Sequence, residues 1–138
     1  ADCGAAVDQC TFDGVWRGKA RAGTAYYVSS YFWDRALESG IITDERALSW
    51  KATPGAFANK ASAVCAHAET AAILKQHPSV KPDQAPFFCL DLAYCHQLLT
   101  AGFKLAPASQ VTLVKQIEYN GQSIEASWAV GAAVNDLS

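Results

Sequence analysis

Methionine is absent from this chain of 138 residues, which begins at Ala1, so we expect a processed protein or one segment of a longer one. No apolar stretch approaches the roughly 20 residues that a membrane-spanning helix needs, and no basic and then apolar leader opens the sequence. The glycine-rich phosphate loops of nucleotide-binding proteins and the Gly-x-Ser-x-Gly turn of acyl-transfer enzymes are also missing. The residues therefore predict no catalytic group in this chain and no membrane segment.

Charge and metal ligands are equally sparse. The formal charge is −2 and 17% of the residues are charged, which is too balanced to predict a nucleic-acid partner. A small basic group at Arg17, Lys19 and Arg21 is interpreted as a solvated loop. Neither a Cys-x2-Cys pair nor a His-x3–5-His pair occurs, and the acidic residues are widely spaced, so no metal site is predicted.

The five cysteines indicate disulfides rather than metal binding. Cys3 and Cys10 enclose a short loop that a disulfide could close, and Cys65 and Cys89 flank a polar connection that contains proline. Cys95 is left over and is predicted to be a small buried residue on a helix. Two disulfides, Cys3–Cys10 and Cys65–Cys89, favour oxidising surroundings, and hence a secreted or extracellular protein or one in the secretory lumen.

Strand signals lie near both ends of the chain. Residues 11–16 and 24–30 contain β-branched and aromatic residues at strand density, and predict a hairpin or two adjacent strands. Residues 111–119 alternate apolar and polar side chains and lead into Asn120-Gly121, the strongest short hairpin signal. Because hairpins are antiparallel, we expect one α/β domain over residues 1–138 with a mixed or mostly antiparallel sheet flanked by helices.

Helix signals fill the middle of the chain. Phe88, Leu92, Cys95 and Leu99 recur at helical spacing and predict a long helix over residues 85–101. Local start and stop residues mark the others. These are predicted from a Ser30 cap to Gly40, from Pro54 after Thr53 to Cys65, over residues 68–76, and over residues 125–137.

The aromatic run Tyr31, Phe32 and Trp33 allows two interpretations. The three rings could begin a helix that faces the core, or they could offer a platform on which a planar base stacks. Arg35 is predicted to be a surface residue whose aliphatic stem covers this cluster. Composition alone does not decide between a structural and a ligand-binding run.

Three separated segments resemble the C-terminal half of the apyrase family and are most similar to its plant members. The first is Cys-Thr-Phe-Asp-Gly-Val-Trp at residues 10–16, followed by Tyr-Val-Ser-Ser-Tyr-Phe-Trp-Asp-Arg-Ala at residues 27–36. The second is Phe-Cys-Leu-Asp-Leu-Ala-Tyr at residues 88–94. The third is residues 111–117 leading to Glu-Ala-Ser-Trp-Ala-Val-Gly at residues 125–131. Order and spacing agree across nearly the whole chain.

The resemblance implies one lobe of an actin-like, ribonuclease-H-like ATPase fold, with nucleotide bound in the cleft between two lobes. It also implies that one of Tyr31, Phe32 and Trp33 contacts the base, with Phe32 favoured. Three more residues match motif positions of undetermined role: Asp91, Trp128, which we interpret as packing, and Gly131. Ala85 stands where animal members carry a basic partner for the base. The family's cysteines support the Cys65–Cys89 pairing.

The same resemblance implies that the catalytic parts lie elsewhere. The family's two phosphate loops and its water-activating glutamate have no counterpart in this sequence. We therefore expect an N-terminal lobe, in the same chain or as a processed partner, that supplies catalysis with Mg or Ca for hydrolysis of nucleoside tri- and diphosphates. The alternative is a non-catalytic binding or self-assembly module that reuses the lobe and associates with its own copies or another protein.

Overall fold

A mixed sheet of three short strands lies at the centre of the fold. The computed structural model describes residues 10–14 and 23–125. The sheet has the order β1-β3-β2, with β1 parallel and β2 antiparallel to β3. The strands are β1 (Tyr27–Ser29), β2 (Ser49–Ala52), β3 (Val111–Val114), β4 (Gln116–Tyr119) and β5 (Gln122–Glu125); the α-helices are α1 (Tyr31–Ser39), α2 (Pro54–Cys65), α3 (Thr70–Gln76) and α4 (Phe88–Gln97).

The parallel pairing of β1 with β3 was not predicted from the sequence. Residues 11–16 and 24–30 were expected to form a hairpin or two adjacent strands; the structure corrects the first of these, since Phe12–Gly14 is a 3-10 turn, while residues 15 and 16 lie outside the described residues. β1 pairs with β3, with Val28 opposite Leu113. A parallel partner must lie far away along the chain, so local patterning does not identify it. The prediction of a mixed sheet with flanking helices is confirmed.

The hairpin predicted at Asn120-Gly121 is confirmed. β4 and β5 pair antiparallel with Tyr119 opposite Gln122, and Asn120 and Gly121 both have positive φ, 50° and 74°. These angles suit a two-residue turn whose twist matches that of its strands. The strand expected over residues 111–119 is divided, because the backbone bends at Lys115 and its N–H donates to the Leu48 carbonyl at 2.9 Å.

Helix α2 begins where its sequence signals predict. Thr53 is extended at the N-cap, and its Oγ1 accepts from the Ala56 N–H at 3.2 Å. Pro54 follows at a position where no backbone donor is needed. The helix ends at Cys65, which forms a disulfide with Cys89 of α4, the pairing that the sequence favours.

Helix α4 supplies the centre of the core. Phe88, Leu92, Cys95 and Leu99 are all 0% exposed, which confirms the predicted apolar face. The helix is shorter than predicted, because residues 85–87 form a 3-10 turn and residues 98–102 continue as one π-helical turn. Such turns are rare and interrupt regular helical spacing.

Helix α1 confirms the prediction at its C-terminus and differs from it at its N-terminus. Gly40 takes the left-handed conformation at φ 77°, and its N–H donates to the last turn, as expected for a glycine stop. Ser30 stands at the N-cap with φ 52°, but its side chain makes no capping hydrogen bond. The chain therefore enters α1 through a backbone conformation that costs free energy for a non-glycine residue.

Several predictions lie outside the described residues. These are the helix expected over residues 125–137, Trp128 and Gly131 within it, and the Cys3 end of the Cys3–Cys10 disulfide.

Replacing Thr53 with alanine tests the start of α2. The change removes the side-chain acceptor for the Ala56 N–H, while the backbone bond to the Thr53 carbonyl remains. We expect the free energy of unfolding in urea to fall by about 0.5–1 kcal/mol. Ser62→Ala, at an exposed position of the same helix, is the matched control and should change it by less than about 0.5 kcal/mol. Equal losses in both variants would contradict the cap.

Candidate functional site

The three aromatic residues at the start of α1 lie in different environments. Trp33 is 4% exposed and belongs to the core. Phe32 is half-buried and packs edge-on against Phe57, with 6.3 Å between ring centroids. Tyr31 is half-buried and packs edge-on against the exposed Tyr94 of α4 at 6.2 Å. Trp33 thus has no free face for a ligand, whereas Tyr31 and Phe32 keep part of their rings accessible.

Arg35 is buried, which corrects its predicted place on the surface. Only 7% of the residue is exposed. Its Nη1 donates to Asp91 Oδ2 at 2.8 Å and its Nη2 to Glu38 Oε1 at 3.2 Å. Its Nε lies 2.9 Å from Glu38 Oε2 at an angle outside hydrogen-bond geometry. Burial of a guanidinium is tolerated here because two carboxylates compensate its charge.

Asp91 of α4 faces two groups of α1. Besides accepting a hydrogen bond from Arg35, its carboxylate lies close to the Tyr31 hydroxyl. Burial of that hydroxyl and then the neighbouring Asp91 carboxylate raise the pKa of Tyr31. Arg35 also lies over the Tyr31 ring, with Cζ 5.4 Å from its centroid, a distance suited to a cation–π contact. The contacts of this motif residue within the chain therefore link the two helices and orient the Tyr31 ring.

The buried surroundings of Arg35 and Asp91 disfavour negative charge on Glu38 and Cys95. Burial raises the pKa of Glu38, against the lowering effect of Arg35. Burial also raises the pKa of the Cys95 thiol to about 12. Cys95 is free and fully buried, so it is neutral at physiological pH and unreactive, which agrees with its prediction as a small core residue.

An open surface cavity of about 300 Å³ lies on the side of α4 that carries Tyr94 and Gln97. The Phe12 ring packs directly on Gly102: a Cβ added to that glycine would lie only 2.0 Å from the Phe12 Cζ. Phe12 also meets Phe103 edge-on at 5.3 Å. Sequence analysis missed this cavity, since Phe12 was assigned to a strand. We call it the Phe12–Tyr94 cavity; it is lined by Thr11, Phe12, Tyr94, Gln97, Leu98, Ala101 and Gly102.

Metal ligands do not come together in the part of the chain that the structure describes. Over residues 10–14 and 23–125, no group of three His, Cys, Asp or Glu side chains is placed to hold an ion. The same residues contain no helix with the length and apolar character to cross a membrane. The described residues therefore do not by themselves form a site for a divalent cation.

Comparison with known proteins decides the family. The profile of the GDA1/CD39 (nucleoside phosphatase) family matches residues 1–138. The chain belongs to this nucleoside phosphatase family. It is similar to Probable apyrase 1 of Oryza sativa subsp. japonica, with 35% identity over 131 residues, 94% of this chain and 26% of that protein. Apyrase of Solanum tuberosum is 32% identical over 133 residues, 96% of this chain and 29% of that protein.

The chain is much shorter than these relatives. It spans little more than a quarter of the length of the curated relatives it matches, 26% to 29% for the plant proteins. Of its motif residues, the structure brings Tyr31 and Asp91 together, while Phe32 packs against α2. Ala85 is fully buried, so its methyl group has no exposed surface.

Replacing Arg35 with methionine tests the link between α1 and α4. The change leaves two carboxylates in a largely buried site without a cation, so the free energy of unfolding should fall by about 3 kcal/mol. Adding Asp91→Asn in the same chain should recover part of that loss. Arg46→Met, at an exposed position, is the control, with less than about 0.5 kcal/mol expected. Equal effects of the two single arginine variants in denaturant unfolding would contradict the link.

Glu38→Gln tests the pKa of Glu38 through the pH dependence of stability. Because the folded pKa is raised above the unfolded value, the stability from protonated Glu38 is present below the ordinary pKa of 4.5 and lost as pH rises through the folded pKa. The variant should therefore be more stable than the parent at pH 7 and no more stable near pH 4. Glu45→Gln, at an exposed position, should show no such dependence. A less stable Glu38→Gln protein at pH 7 would mean that attraction to Arg35 outweighs burial.

Proposed function

We propose that this chain is the C-terminal, base-binding lobe of an apyrase-type enzyme that hydrolyses nucleoside tri- and diphosphates. The observation that carries the proposal is a family match over residues 1–138 that spans little more than a quarter of the plant relatives. The proposed enzyme needs a second, N-terminal lobe, in the same chain or as a processed partner. That lobe would supply the phosphate loops, the catalytic carboxylate and the residues for Mg or Ca.

The proposed fold of the lobe is the actin-like, ribonuclease-H-like one, as a single domain. A mixed sheet with a parallel β1–β3 pair and helices packed on it supports this assignment. Nucleotide would then bind in the cleft between the two lobes. This chain would contribute recognition of the base, whereas water activation and phosphate binding would belong to the other lobe.

The proposed contact to the base is Tyr31 or Phe32. Trp33 has 4% of its surface exposed, so it offers a base less area than the other two rings of the run, which supports this choice. The Tyr31 ring is held by Arg35, which lies over its face and donates to the nearby Asp91 carboxylate, and by edge-on packing against Tyr94. A preoriented ring loses little conformational entropy when a base stacks on it. A secreted or extracellular location is proposed as well, and the Cys65–Cys89 disulfide supports it.

The mass and activity of the native protein test the two-lobe proposal. We expect a polypeptide or complex several times the 14.7 kDa of this chain that releases phosphate from ATP and ADP only with a divalent cation. A native species of 14.7 kDa that releases no phosphate would overturn the enzyme and favour a binding or self-assembly module.

Ring-removing variants in the native enzyme identify the base contact. Tyr31→Leu or Phe32→Leu should raise KM for ATP by about 5-fold to 100-fold, the range for loss of one stacked ring, with a smaller effect on kcat. Tyr31→Phe keeps the ring and should change KM little. Tyr27→Leu, on β1 and 69% exposed, is the control for loss of a surface tyrosine. An unchanged KM in both leucine variants would contradict base recognition by the run.

A further inference from the structure

The Phe12–Tyr94 cavity has the composition of a site for a planar ring. Two aromatic side chains from separate elements line it, Phe12 from the 3-10 turn and Tyr94 from α4, and Leu98 and Ala101 add apolar surface. Its volume of about 300 Å³ is at the lower end of the range for small-molecule sites. None of the residues of the aromatic run lines it, and Tyr31 contacts its lining residue Tyr94 edge-on, so the cavity adjoins the proposed base contact without sharing a residue with it.

Packing on Gly102 holds the Phe12 ring in place. The ring lies where the Cβ of any other residue at position 102 would be, and Phe103 supports it edge-on. Gly102 ends the π-helical turn Leu98–Gly102, and turns of this kind occur frequently at functional sites. The Phe12 ring is therefore positioned by contacts although 47% of the residue is exposed. A positioned aromatic surface binds a flat ligand at lower entropic cost than a mobile one.

The polar groups of the cavity restrict the ligand further. Gln97 follows Tyr94 by three residues on α4 and lines the same cavity. Its carboxamide offers a donor and an acceptor side by side, a pair that can bind the edge of an adenine ring. The residues described around the cavity include no Asp, Glu, Lys or Arg. The described lining residues therefore offer no counterion to a charged ligand group such as a phosphate.

We propose that the Phe12–Tyr94 cavity binds an uncharged, planar heteroaromatic ligand of the nucleoside class, at a site distinct from Tyr31 and Phe32. The ring lies against Phe12 and Tyr94, and the Gln97 carboxamide contacts its hydrogen-bonding edge. Phosphate groups contribute nothing to affinity at this site.

Titration of the native protein with adenosine tests the proposal, with the Gln97 side-chain amide and the Gly102 N–H signals in NMR spectra as the site-specific readout. We expect both signals to shift saturably with adenosine, and with AMP at an affinity within about threefold of it. Tyr94→Leu and Gln97→Ala should each weaken the binding reported by Gly102 by about tenfold, near the loss expected for one stacked ring. Gly102→Ala, followed through Gln97, should also weaken it, because the added methyl displaces Phe12.

Two control variants separate this site from the proposed base contact. Phe87→Leu removes an exposed ring that does not line the cavity, and Phe32→Leu removes a candidate base contact whose ring packs against Phe57 of α2; both should leave adenosine binding at Gln97 unchanged. Thermal unfolding of Gln97→Ala should match the parent, and Tyr94→Leu should lose only the edge contact with Tyr31, since both positions are exposed. Absence of saturable shifts in the parent, equal affinity in all variants, or AMP binding more than tenfold tighter than adenosine at Gln97 would overturn the proposal. A raised KM for ATP in Phe32→Leu with these shifts intact would support both proposals separately.

Discussion

The ion pair of Arg35 with Asp91 connects the helix that bears the aromatic run to the central helix of the core. α1 bears the aromatic run, and α4 bears Asp91, Tyr94 and the disulfide to α2. A guanidinium with 7% exposure is costly to desolvate, and its attraction to two carboxylates mainly offsets that cost. The benefit is geometric: the hydrogen bond from Arg35 to Asp91 and the position of Arg35 over the Tyr31 ring fix how the two helices and this ring lie together. The orientation of the candidate platform follows from that placement.

Local rules predicted the parts of the fold that are determined locally. Thr53-Pro54 marked the start of α2, the apolar spacing along α4 identified its buried face, and Asn120-Gly121 located the hairpin. Features that depend on distant partners were missed. β2 was not predicted, and neither was the pairing of β1 with β3, because strand pairing is non-local. Arg35 was placed on the surface because its compensating partner, Asp91, is 56 positions away.

The candidate site was predictable only in outline. Family resemblance directed attention to Tyr31, Phe32 and Trp33, but burial separates them, since the Trp33 ring packs in the core while Tyr31 lies near the surface. No sequence rule indicated the cavity beside α4, which depends on Phe12 meeting a glycine at the far end of a helix. The division of labour proposed above, with base recognition on this lobe and phosphate chemistry on another, rests on the family match and on the small share of the relatives that the chain spans.

The ion pairs of Arg35 with Glu38 and Asp91 also have a consequence for how sequences of this kind can diverge. Replacing all three residues by apolar ones of similar size can leave stability nearly unchanged, whereas replacing Arg35 alone leaves two carboxylates without a cation and costs about 3 kcal/mol. A lineage must therefore pass through an unstable intermediate to exchange the three residues. Positions 35, 38 and 91 should consequently be retained together, or lost together, over long evolutionary times. Their joint persistence among relatives would then reflect a barrier between two acceptable solutions, and would not by itself demonstrate contact with a substrate.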